Sequence, residues 1–139
     1  MRFVAFLCMI LAGFPVWAEN ESALNLANQL GAAAGAAYAC KAGKSLENYE
    51  VIASRLLANS VDTAEEERVL DEKYVEAKVE AIRLHEKEHP MPCKEVLKRF
   101  NSMKIFNFVV YADGSVKMDD GTMLHPKHPI KPVSENKKK

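Results

Sequence analysis

Few residues in this chain have the types and spacing that chemistry needs. Cys40 and Cys93 are the cysteines of the body of the chain, and Cys8 lies in the apolar opening. His85 and His89 stand four apart with Glu86 between them. On a helix that spacing puts both imidazoles on one face, where they can share a divalent cation while a neighbouring carboxylate takes a proton from its water. His125-Pro126-Lys127-His128 offers two more imidazoles, and Asp113, Asp119 and Asp120 offer oxygens. The aspartates lack the glycine and alternating ligands of a calcium loop, so turn formation is the expected role.

The run His85-Glu86-Lys87-Glu88-His89 resembles the metal-binding helix of the zincin family. The resemblance implies His85 and His89 as zinc ligands and Glu86 as the base that activates water. In that family the intervening places are uncharged, whereas Lys87 and Glu88 fill them here, and Pro90 ends the helix at the second histidine. A third ligand would have to come from His125, His128 or a carboxylate. The reading from the residues themselves is a solvated, charged helix end. No catalytic residue, metal or cofactor is therefore assigned, and Glu86, His85 and His89 are the candidates for the runner-up, a small zinc-dependent hydrolase. No Gly-x-Ser-x-Gly, phosphate-cradling loop or reactive Cys–His pair stands out in the sequence.

The compartment decides what the cysteines do. Met1 to Ala18 has a positive start at Arg2, an apolar run and the small residues Val16 and Ala18 before the expected cut. The run is shorter than the ~20 residues that span a bilayer, so cleavage is expected and no integral membrane segment in the mature chain. Removal of Cys8 leaves Cys40 and Cys93 with only each other, and export favours a disulfide between them. Removal of Arg2 leaves 18 Lys+Arg against 19 Asp+Glu. Such a balance has no global field to draw in nucleic acid, and no nucleic-acid partner is expected.

The elements that must hold these residues are mostly helices. Ala23, Leu24, Ala27, Leu30, Ala34 and Tyr38 line one face of a helix over 21–42, which Gly43 would end in a left-handed cap. Gly31 and Gly35 invite close approach of another helix. Ser45 should cap a second helix whose buried stripe is Leu46, Tyr49, Ile52, Ala53, Leu56 and Leu57, broken at Asn59-Ser60. Asp62 or Thr63 caps a third, over 63–89, with Leu70, Tyr74, Ala77, Ala81 and Leu84 inward and Val75, Val79 and Ile82 widening that face. Pro90 and Pro92 stop it, and Cys93 begins a short fourth helix. Residues 105–111 are β-branched and aromatic, and Asp113-Gly114 predicts a hairpin with a two-residue turn that sets Tyr111 opposite Val116. A second turn is suggested at Asp119-Asp120-Gly121, and no internal repeat is evident. Residues 125–139, rich in proline and lysine, read as a basic disordered tail.

The sequence thus predicts a mostly α, disulfide-stapled domain of about four helices over 19–124, with a C-terminal β-hairpin. The functional expectation is an exported, periplasmic or secreted, non-catalytic protein-binding or chaperone-like factor. A secreted effector that touches host or membrane surfaces through its lysine tail is a further alternative. The partner surface is placed on the strand 105–111, with Phe106, Phe108 and Val110 inward and Ile105, Val109 and Tyr111 offered to another protein or a second copy.

Overall fold

The computed structural model describes Arg2–Glu88 and Met91–Ile130, with side chains described over 21–88 and 91–130. His89, Pro90, the lysine-rich end 131–139 and the side chains of the expected signal lie outside the described residues. The protein is mostly helical: α1 (Arg2–Ala39), α2 (Lys44–Asn59), α3 (Ala64–Glu88) and α4 (Cys93–Asn101) precede a 3-10 turn (Lys104–Asn107). The strands β1 (Val109–Val110), β2 (Val116–Lys117) and β3 (Met123–Leu124) follow as an antiparallel meander in the order β1-β2-β3. Among the described residues no helix is long and apolar enough to cross a membrane.

The pairing of α1 with α3 is the most extensive helix contact. Gly31 faces Tyr74 and Ala77, and Gly35 faces Lys78 and Ala81, so the two helices run in the same direction. A Cβ at Gly31 would lie 2.2 Å from the Tyr74 carbonyl oxygen, and one at Gly35 would lie 2.3 Å from that of Lys78. Only glycine permits that approach. α2 returns between them with its whole predicted stripe buried. Tyr49 is fully buried at its centre, and its hydroxyl donates to the Leu30 carbonyl at 2.8 Å. Its ring meets Phe100 of α4 at 4.9 Å between centroids and Phe106 at 6.1 Å, which locks α4 and the 3-10 turn to the helices.

The helix ends differ from expectation in an informative way. Lys41, with φ of 60°, occupies the left-handed position after α1. The Lys41 N–H donates to Tyr38 O and the Ala42 N–H to Ala37 O, each at 3.0 Å. That is a Schellman closure two residues ahead of Gly43. Gly43 is instead the residue before α2, also at positive φ, and Ser45 turns its hydroxyl back to Ala42 O rather than capping. Thr63 does cap α3: its Oγ1 accepts from the Glu66 N–H at 3.2 Å.

Two expected faces are corrected. Val75 and Val79 are 56% and 59% exposed, because the glycine face of α1 draws the Tyr74–Ala77–Lys78–Ala81 side of α3 inward. Tyr38 and Leu84 also reach solvent, the former beneath the Lys78 ammonium at 5.5 Å.

The seven-residue strand is corrected as well. Ile105 to Asn107 form the 3-10 turn, which buries Ile105 in the core. Beyond β1 the Tyr111–Ser115 pair encloses a three-residue turn, 112–114: Gly114 N–H donates to Tyr111 O at 3.0 Å, Tyr111 N–H to Ser115 O at 2.9 Å, and Gly114 takes φ of 88°. Val110, not Tyr111, therefore faces Val116. Seven residues on, the same design recurs: Gly121 N–H donates to Met118 O, Met118 N–H to Thr122 O, and φ at Gly121 is 87°. This second turn adds β3 to the hairpin. Asn59, at the end of α2, latches the sheet by donating to Gly114 O at 3.0 Å and Leu124 O at 3.3 Å.

Candidate functional site

The histidine that matters is placed by the end of α3. His85 lies in its last turn, and the chain doubles back through Met91-Pro92 so that Cys93 opens α4 beside it. Cys40 arrives from the end of α1, which runs alongside. A disulfide joins Cys40 to Cys93 with their Cα atoms 5.3 Å apart. The His85 Nε2 sits 3.4 Å from the Cys93 sulfur and 3.5 Å from the Cys40 sulfur. Cys40 and His85 are buried, whereas Cys93 is exposed.

An apolar groove of about 440 Å³ runs from this cluster between α1, α3 and α4. Ala33 and Ala36 form its floor, Ala81 and Leu84 one wall, and Val96 and Met103 the other. Small side chains on α1 leave the depression open, and His85 closes the end nearest the sulfurs. On the α4 side Arg99 is exposed at the rim, where its Nε–H donates to Glu95 Oε1 at 3.1 Å.

Cys40, His85 and Cys93 place three donor atoms of metal-ligating type within 4.8 Å of one another. While the sulfurs are bonded to each other neither is a thiolate, the form that binds metal. Reduced, they would present the two-sulfur, one-nitrogen set that zinc accepts.

The other candidates are scattered. Glu86 is exposed and His89 lies outside the described residues. His128 is held at the far end of α3, its Nε2 3.1 Å from Ala58 O and 3.3 Å from Glu67 Oε2. Glu67 and His85 are 18 residues apart on one helix, or about 27 Å at the helical rise. His128 therefore does not join His85 in one site. His125 pairs with Ser115 Oγ at 3.1 Å. The residues 126–130 that continue this strand lie along α2 and α3, where Lys127 approaches Asp62 at 3.6 Å.

Asp113 and Asp120 each accept the N–H of the residue two ahead at 2.9 Å, and that hydrogen bond holds each carboxyl below its usual range. Turn chemistry accounts for both. Of the proposed strand surface, Ile105 is core, whereas Val109 and Tyr111 are 48% and 43% exposed and Met123 joins them on the outer face.

Sequence reasoning found the disulfide and missed its histidine. His85 is 45 residues from Cys40. The one local signal was the presence of Pro90 and Pro92 in the sequence, residues that end a helix shortly before Cys93. Comparison of the chain with protein-family models, with curated proteins and with solved structures gives no match. The class that fold and site define is therefore a structural one: a small helical domain with one disulfide and a three-stranded antiparallel sheet.

Proposed function

We propose that this chain is an exported, non-catalytic factor that binds another polypeptide, with the groove between α1, α3 and α4 as its receptor. The observation that carries the reading is the groove itself. It is lined by alanine, leucine, valine and methionine side chains and is left uncovered by the described residues. Interhelical grooves of this kind take the apolar face of a partner segment. A disulfide suits an oxidising compartment, which supports export.

Leu84 stands on the lip and is 37% exposed, so its replacement should leave the fold intact. Leu84→Asp should lose binding of an amphipathic helical peptide, at unchanged helical circular dichroism. A well-folded variant that binds the same peptide as tightly as the wild type would overturn the groove as receptor.

A further inference from the structure

We infer that the Cys40–Cys93 disulfide is an exchange-active pair that accepts electrons from a partner thiol, with Cys93 as the attacked sulfur and His85 as the proton carrier. The site has the asymmetry such chemistry requires. Cys93 is exposed and begins α4, a helix of nine residues, whereas Cys40 is 7% exposed. A thiolate approaching from solvent reaches Cys93. The N-terminal end of a helix also stabilises negative charge on a cysteine sulfur when that sulfur is released.

The buried sulfur needs different help. When an incoming thiolate bonds to Cys93 Sγ, the bond to Cys40 breaks and its electron pair stays on Cys40. A bare thiolate at so buried a position would be costly. His85, itself only 8% exposed, holds Nε2 3.5 Å from that sulfur and can deliver a proton to it. The products are a mixed disulfide on Cys93 and a thiol at Cys40. In the return step Cys40 gives its proton back to His85 and attacks Cys93 Sγ, and the partner leaves as a thiolate. Full reduction takes a second equivalent of the same thiol, which attacks the partner's sulfur and leaves oxidised as a disulfide. No other reactant is needed.

Contacts other than the bond also hold these elements together. Phe100 anchors α4 in the core against Tyr49 and Phe106, and the glycine contacts hold α1 on α3. Exchange can therefore proceed within a folded chain. The inference is independent of the groove reading, because a small thiol tests it without any polypeptide partner.

The test uses the full chain carrying Cys8→Ser, so that only the pair reacts, equilibrated under native conditions with mixtures of reduced and oxidised glutathione. Acid quenching, alkylation and peptide mass spectrometry should show glutathione on Cys93 and a free thiol at Cys40 at intermediate ratios. His85→Ala should slow formation of that adduct at least tenfold at unchanged helical circular dichroism, and His85→Gln, which lacks a transferable proton, should be equally slow. A pair that stays oxidised until denaturant is added, or glutathione found on Cys40, overturns the inference. So does an unaltered rate in a folded His85 variant. If both variants fail to fold, the position of glutathione in the wild type decides the assignment.

Discussion

Gly31 of α1 sits against the backbone of Tyr74 in α3, so close that a Cβ at Gly31 would lie 2.2 Å from the Tyr74 carbonyl oxygen. Because the obstacle is backbone, rotamer changes cannot relieve it. The helices must separate, and the stripe of Ala27, Leu30 and Ala34 separates with them. Gly31→Ala should therefore destabilise by about 3 kcal/mol, although alanine is the better helix former. Urea unfolding followed by circular dichroism measures this, and a neutral result would show that the helices do not meet at this register.

Lys41 offers the opposite case. It is exposed and takes a φ of 60°, a region that costs a side-chain-bearing residue about 1 kcal/mol. Glycine adopts it freely at the end of a helix. Lys41→Gly should raise stability by about 0.5–1 kcal/mol, read as a higher urea midpoint at unchanged slope.

What the sequence disclosed and what it hid follow from the range of the forces involved. The α2 stripe was legible because Leu46, Tyr49, Ile52 and Leu56 repeat at helical spacing and one side of α2 is core. The disulfide was legible by count. Val75 and Val79 were misplaced because apolar type does not say which side of α3 meets α1; the glycines opposite decide it. Residues 105–107 look like strand by composition, yet the Tyr49, Phe100 and Phe106 rings draw them into a 3-10 turn. Strand preference yields to such packing readily. His85 beside two sulfurs was hidden because only the docking of α1 against α3 brings Cys40 to it.

Alkali should unfold the protein in a definite way. Burial raises the Tyr49 phenol above its usual value, helped by the Glu50 charge, and burial with a hydrogen bond to Glu50 does the same for Tyr74. An unfolded chain releases these protons near pH 10 and the folded chain holds them, so the unfolded state gains as pH rises. Stability from these groups is fully present below about pH 10 and falls above it, by up to about 1.4 kcal/mol per pH unit for each tyrosine. Tyr74→Phe should roughly halve the slope of urea midpoint against pH between about pH 10 and pH 11. An unchanged slope would assign the alkaline loss to other groups.

The outer face of the sheet gives the last prediction, and the register chooses the variant. Val109 pairs directly with Lys117, and Lys117 with Met123, so these three share the solvent face while Val110, Val116 and Leu124 turn to the helices. A lysine at position 109 would stand opposite Lys117 and repel it, so lost binding could not be separated from a weakened sheet. Val109→Glu places an opposite charge there and should change stability by no more than about 0.5 kcal/mol. If the groove is the receptor, this variant binds the amphipathic peptide as the wild type does, and Leu84→Asp does not. If Val109→Glu abolishes binding at unchanged stability while Leu84→Asp binds normally, the partner adds to the β1 face and the groove is not the site. Unfolding of Val109→Glu would show instead that its half-exposed side chain is part of the core.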